Sequence, residues 1–482
     1  MSPVRKIVQT VTGLAALTLS ACAVGPHYVS PKTPPHAAGS FVSADRPEFA
    51  ESAPLPPGWW RLYQDAVLDD LVKEALSENQ DLKVAAANLA YAEGLLEEAR
   101  SGRFPTTNLT AAAPSYGRSV SQVIAGAAAS TSYAAGLIAS YQVDLFGRIA
   151  RGVQAARANA EASLAAEDVV RVTVAAQTAA AYANICGYGE QLDVARRSVA
   201  LVQEAYDLTA AERDAGALSN FDLSREGVVL GQAKGAIAPL EGQRRAALFT
   251  LAALLGKPPS EVPAAAAACH TPPRLVQPLP VGNGADLLRR RPDLRAAERS
   301  LASATARIGV AEADLYPTIT LGGAVNNAAS SITGIGTTSH ATYSVGPMLS
   351  WSFPNILTAH ARVKQASAQA AAALAGFDGA VLRALSEAEK ALSAYGSELD
   401  HHTALVDVRT NADEALRLAK IQFEAGSVSF LDLISAESAA VAADQAVALS
   451  DQTLSTNQIA VFQALGGGWE GDRSTPSAKP HP

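Results

Sequence analysis

Residues able to act as nucleophiles, bases or metal ligands are few in this chain, and most of them stand in no complete signature. The eight His include no pair at zinc-binding helical spacing, and His401-His402 reads as a solvated pair on a helix. Gly282-Asn283-Gly284 and Gly334-Ile335-Gly336 lack the third Gly of a dinucleotide fingerprint, while Gly256-Lys257 runs into Pro with no phosphate loop before it. The acidic spots at Glu97-Glu98 and at Glu387 with Glu389 suit outward helix faces better than a catalytic carboxylate pair. Cys186 lies in an Ala-rich helical stretch and Cys269 in a Pro-rich linker 83 positions later, in no ligand-like spacing. Both are expected as buried or half-buried free thiols, although an oxidising compartment would permit them to pair. The expectation is a chain without catalysis, metal or cofactor.

Cys22 invites a different covalent chemistry. Arg5 and Lys6 precede an apolar run at 7–19, an export signal too short to span a bilayer as a helix of about 20 residues. Leu19-Ser20-Ala21-Cys22 resembles the lipobox of bacterial lipoproteins, in which the Cys becomes the acylated first residue; a plain secretory signal ending on a chance Cys is the alternative. That resemblance implies diacylglyceryl and N-acyl groups on Cys22, and Ala23 in place of Asp implies sorting to the outer membrane. Acyl chains anchor an N-terminus to one leaflet without making it transmembrane.

Composition narrows the partners. Of 482 residues 48% are hydrophobic but only 6% aromatic, so the apolar content is mostly small and aliphatic and favours closely packed helices. A net charge of −8 without a dense basic run removes the electrostatic footprint of a nucleic-acid binder. Charged residues, at 17%, fall below the usual quarter, which leaves surface to face something other than water.

The elements that position these residues are duplicated. Asp81-Leu82-Lys83 aligns with Asp293-Leu294-Arg295, and Phe104-Pro105 with Tyr316-Pro317, at one offset. Further on, at an offset two residues shorter, Tyr141 aligns with Trp351, Ala215-Gly216 with Ala425-Gly426, Ser219 with Ser429, Asp222-Leu223 with Asp432-Leu433, and Leu255-Gly256 with Leu465-Gly466. The expected organisation is a signal at 1–21, an extended segment at 22–65, a first repeat at 66–256, a Pro-rich linker at 257–284, a second repeat at 285–466 and a tail at 467–482. Each repeat opens with a helix, over 66–103 in the first, that ends before the aromatic-Pro junction at Phe104-Pro105 or Tyr316-Pro317. A strand hairpin follows, at 105–146 and 317–354, with Tyr133 to Val143 and Tyr343 to Phe353 alternating in parity. Then come long helices at 148–214 and 357–424, and return helices at 221–255 and 430–465. At 1.5 Å per residue the long helix reaches about 100 Å, so two shorter helices end to end can pair with it as an antiparallel coiled coil. Four strands cannot close a membrane barrel alone, and oligomerisation must supply the rest. Tyr141 and Trp351 near the strand ends suit an aromatic belt; core positions of an ordinary soluble sheet are the alternative.

Taken together, the motif at Cys22, Trp59-Trp60-Arg61-Leu62-Tyr63, Asp144-Leu145-Phe146-Gly147-Arg148, Arg291-Pro292-Asp293-Leu294-Arg295 and Leu315-Tyr316-Pro317 resemble the outer-membrane efflux family that includes TolC and OprM, in its NodT-type lipoprotein branch. The resemblance runs from Cys22 to about Leu465, with Ala66 standing where many relatives have Pro. It implies a mainly α fold with a membrane β-barrel portion: a homotrimer whose three sets of four strands form one 12-stranded outer-membrane barrel, continued by a helical periplasmic tunnel. It also implies a lipid-anchored exit duct that meets a periplasmic adaptor (membrane fusion) protein and an inner-membrane pump of the resistance-nodulation-division class, passing small toxic compounds or drugs. A type I protein-secretion duct and a pore-less coiled-coil tether are the alternatives, and the tether leaves the twin hairpins unexplained. By the same resemblance the turn after each long helix, with Gly216, Ser219, Gly426 and Ser429, is the periplasmic tip, and Asp222, Leu431 and Asp432 are gate candidates. Three copies of the acids would favour cations. Alternatively Asp222 and Asp432 serve only as first-turn acids favoured by the helix dipole. Ser435 stands where relatives often carry a further Asp, which makes the ring less acidic.

Overall fold

The computed structural model describes residues 23–32, 37–50, 55–116, 124, 130–275, 277–353 and 356–468. The signal at 1–21, the lipidation candidate Cys22 and most of the tail lie outside them. The chain forms two compact units, each built from parts of both repeats.

The first unit takes residues 1–31, 88–164 and 296–378 and holds the sheet. Strands β1 (Thr106–Ala112), β2 (Tyr133–Val143), β3 (Thr318–Ala329) and β4 (Ala341–Ser350) pair antiparallel in the order β1-β2-β3-β4, so the two hairpins join through β2 and β3. That central pairing is the longest, running from Tyr133 opposite Ala329 to Val143 opposite Ile319. Every residue of β4 is exposed, on both faces. Helix α2 (Gln80–Ser101) feeds β1, and here its Ala92 and Leu96 pack on Val153 and Ala160 of the long helix α3 (Arg148–Asp214). Alanine at these positions lets the two backbones approach closely, as the composition anticipates.

The second unit takes residues 32–87, 165–295 and 379–482. It contains α1 (Ala66–Glu78), most of α3, α4 (Asn220–Gly235), α5 (Ile237–Leu254), α6 (Gly284–Arg290), and, from helices shared with the first unit, the N-terminal part of α7 (Pro292–Ala313) and the larger part of α8 (Ile356–Glu424), together with α9 (Phe430–Ala464). Its core centres on Trp59, fully buried and stacked on Phe462 of α9 at 4.6 Å between ring centroids, with Leu68, Leu71, Val72 and Ala75 of α1 also buried. Asp65 starts α1 by accepting from the backbone N–H groups of Val67 and Leu68 at 2.9 and 3.1 Å. Ala66 is therefore the first helical residue, the position where Pro is also accommodated.

The structure corrects three expectations. The first helix is not continuous over 66–103: it breaks at buried Asn79, whose Oδ1 accepts from Asp81 and Leu82 N–H and whose Nδ2 donates to the Leu254 carbonyl at 3.0 Å. The second repeat breaks at the aligned Arg291, which donates to the Ala464 carbonyl at 2.9 Å. In both repeats the interruption supplies a donor for the end of the return helix, whose last carbonyls have no partner within the helix. The return helix of the first repeat is also split, at Ala236, because Pro239 removes an N–H and crowds the Gly235 carbonyl one turn back. Finally, Cys186 and Cys269 are not free thiols but a disulfide, with Cα atoms 4.7 Å apart. The linker reaches α3 because Gly189 presents no side chain, and a Cβ there would lie 2.5 Å from the Cys269 carbonyl oxygen. Arg244 donates to the Ala267 and Cys269 carbonyls at 2.8 and 2.9 Å, and His270 Nδ1 lies 2.7 Å from Asp193.

Candidate functional site

The two helix-ending turns are superimposable in their chemistry. At the end of α3, Gly216 has φ +81°, its N–H donates to Arg213 and the Ala217 N–H to Glu212. At the end of α8, Gly426 has φ +70°, donates to Phe423, and Ser427 donates to Gln422. The left-handed residue and its paired bonds satisfy the last carbonyls of each long helix, and glycine alone adopts that backbone without strain.

Each return helix then opens with a reciprocal cap. The Ser219 Oγ accepts from the Asp222 N–H at 3.3 Å while the Asp222 carboxylate accepts from the Ser219 N–H at 3.0 Å and from its hydroxyl at 2.7 Å. Ser429 and Asp432 repeat this at 3.3, 3.0 and 2.6 Å. The serine hydroxyl and N–H hold both carboxyls below the usual carboxylate range, with Arg225 adding to the effect at Asp222. Both acids are thus helix caps and negative charges at once, Asp432 exposed and Asp222 half-buried. Leu431 is 47% exposed, and its partner in the first repeat, Phe221, is 68% exposed beneath the Arg225 guanidinium.

At the strand–helix junction the Asp144-to-Arg148 motif resolves into separate tasks. Asp144 caps α3 by accepting from Ile149 and Ala150 N–H at 3.0 and 2.8 Å, Phe146 stacks on Tyr316 at 4.5 Å, and Arg148 pairs with Asp314 at 3.3 Å. Phe104 and Pro105 end α2 as expected, Phe104 with its ring largely exposed, and Pro317 precedes β3. Tyr141 sits in β2 opposite Leu321, and Trp351 just past β4 donates to the Leu315 carbonyl at 3.3 Å. The N-terminal chain is fastened here as well: Val24 N–H donates to the Phe146 carbonyl at 3.2 Å, and buried Arg151 donates to the Val24 and Gly25 carbonyls at 3.1 and 2.9 Å.

The outer membrane efflux protein family model matches the chain twice, over residues 71–257 and 284–467. The chain belongs to the outer membrane efflux protein family. Nodulation protein T of Rhizobium leguminosarum biovar viciae is 29% identical over 465 residues, covering 94% of this chain and 92% of the relative. Outer membrane protein OprJ of Pseudomonas aeruginosa is 29% identical over 476 residues, covering 96% of each. The solved structure of the outer-membrane channel OprN is similar with a TM-score of 0.86 at 33% identity, covering 93% of this chain and 100% of that one. This protein is accordingly an outer-membrane efflux channel of TolC-like fold.

Within that family fold, sequence reasoning named Leu431 but not Phe221, although the repeat offset that pairs Asp222 with Asp432 pairs these two as well. It also passed over Glu226 and Glu437, which lie two turns behind the caps and are buried. Glutamate on a helix reads as a solvated face, and no local signal marks these two as interior.

Proposed function

We propose that three copies of this chain close their four-stranded sheets into a single 12-stranded barrel, with the long helices enclosing a periplasmic tunnel. The observation that carries this reading is the sheet itself: β1 and β4 each have one edge without a partner strand among the described residues, and β4 is exposed on both faces. Open edges are not tolerated in hydrocarbon, and copies of the same sheet supply closure. Cys22 carries the diacylglyceryl and N-acyl groups, and the hold of Arg151 on residues 24–25 supports an anchor beside the strand–helix junction. Tyr141 and Trp351 contribute to the aromatic belt at the membrane edge.

The assembly is the exit duct of a tripartite efflux system. It receives small toxic compounds from a periplasmic adaptor and an inner-membrane pump of the resistance-nodulation-division class, and carries out no chemical step. The turns form the periplasmic gate, where Asp222 and Asp432 in three copies concentrate negative charge and Leu431, with Phe221, narrows the opening. Closure is tested by native mass spectrometry of the detergent-extracted protein together with cysteine cross-linking between β1 of one subunit and β4 of the next. A trimer with specific edge-to-edge cross-links is expected; a folded monomer would overturn the barrel.

A further inference from the structure

Behind the turns, two turns into each return helix, the protein buries a glutamate. Glu226 of α4 is completely shielded from solvent, and neither of its carboxylate oxygens has a hydrogen-bond partner. Glu437 of α9 is 3% exposed, and α4 and α9 are in contact. On the α3 side, a Cβ on Gly227 would meet the Tyr206 ring at 3.6 Å, so α3 lies in contact distance of α4 beside Glu226. The charged groups facing Glu437 are Glu226 from α4, Glu204 from α3 and Lys420 from α8.

An ionised carboxylate without a donor in such a setting is strongly disfavoured, and two neighbouring carboxyls disfavour ionising together. A proton removes both penalties. We propose that Glu226 and Glu437 form a proton-binding site between the two repeats, which holds α4 against α9 when protonated and loosens that contact when it ionises. Burial, reinforced by Glu226 and Glu204 and opposed by Lys420, pushes Glu437 up to about 7. Burial likewise raises Glu226. An acid held above its ordinary value binds its proton more tightly in the packed state. The α4–α9 contact is therefore unpenalised at acidic pH, weakens as pH rises above the ordinary carboxylate range of about 4.5, and is loosest above about 7. Placed just behind the proposed gate, the site makes the packing of the tip helices respond to the pH of the surrounding compartment.

The titration stands independently of the channel reading, which supplies only what it would regulate. Full-length protein in detergent is titrated from about pH 5 to about pH 8, bracketing the value of about 7, and followed by carboxyl infrared absorbance. The expected result is loss of a protonated-carboxyl band with a midpoint near about 7, absent in Glu437→Gln and moved to lower pH in Glu226→Gln. In parallel, hydrogen exchange of α4 and α9 amides, corrected for intrinsic rates, is expected to accelerate about tenfold across this range in the wild type, equivalent to one unit of pKa shift. It stays flat in the Glu226→Gln, Glu437→Gln double variant. If Glu437→Gln does not fold, the lowered midpoint of Glu226→Gln carries the test alone. Carboxyl absorbance that titrates wholly in the ordinary range, or exchange that accelerates equally in the double variant, overturns the proposal.

Discussion

The two repeats end their long helices identically and then diverge. At the turns, Gly216 and Gly426, Ser219 and Ser429, and Asp222 and Asp432 make the same bonds at distances that agree within 0.1 Å. Behind them the second return helix runs unbroken from Phe430 to Ala464. The first is interrupted at Ala236, carries Pro239 where the second has Leu449, and leads into a linker stapled to α3 by Cys186–Cys269. Ending a helix is a local problem with few chemical solutions, so both copies keep one. The path behind the turn is set by what the chain must reach next, and there the first copy has to cross into the linker while the second finishes the fold.

That contrast breaks most visibly at the disulfide. It closes a segment of 83 positions that contains the first turn and all of α4 and α5, and the second repeat has no cysteine to do the same. Cys186→Ser with Cys269→Ser is expected to destabilise the fold by about 2–5 kcal/mol, measured by denaturant titration. Reductant should lower the wild-type midpoint and leave the double variant unmoved. An unchanged midpoint in the variant would mean that noncovalent contacts alone hold the linker.

Next in size, Gly216→Ala and Gly426→Ala each force a side chain into a left-handed backbone, at a cost of about 1–2 kcal/mol. Equal losses in thermal stability are expected from the two; a loss at one turn only would show that the turns are not equivalent in the assembled protein. Ser219→Ala and Ser429→Ala sharpen the same point at about 1 kcal/mol each, read as increased hydrogen exchange in the first turn of α4 or α9.

The smallest expected effect is in pH. Asp222 and Asp432 are held below the usual carboxylate range by their caps, so the caps contribute above that range and are lost as pH falls through the lowered values. Glu437 has the opposite sign, favouring packing at acidic pH. Acidification to about pH 5 should tighten α4 against α9 before the caps fail at still lower pH. Exchange mapping that shows fraying of the caps first would reverse this order.

Much of the frame was legible in the sequence because local rules govern it. The long helices fall at 148–214 and 356–424 against expectations of 148–214 and 357–424, since neither has an internal Pro and both stop at Gly. The turn serines and aspartates were legible for the same reason, both as caps and as charges. What escaped depends on distant partners. Asn79 interrupts its helix where its amide reaches the Leu254 carbonyl, 175 positions away, whereas the aligned break at Arg291 has a local cause in Pro292 and adds a bond to the Ala464 carbonyl 173 positions away. The disulfide depends on Gly189 letting the linker approach α3, which no cysteine spacing records. Glu226 and Glu437 occupy positions polar in type and interior in place, a mismatch visible only once α4 and α9 are set side by side.

We propose that the chain forms a duct whose turns gate it by charge. Planar-bilayer conductance of the detergent-extracted protein tests it most directly, comparing the wild type with an Asp222→Asn, Asp432→Asn double variant that removes the charges. Small, cation-selective openings are expected in the wild type and larger, less selective ones in the variant. Intact, folded oligomers of both proteins that give no conductance would contradict it.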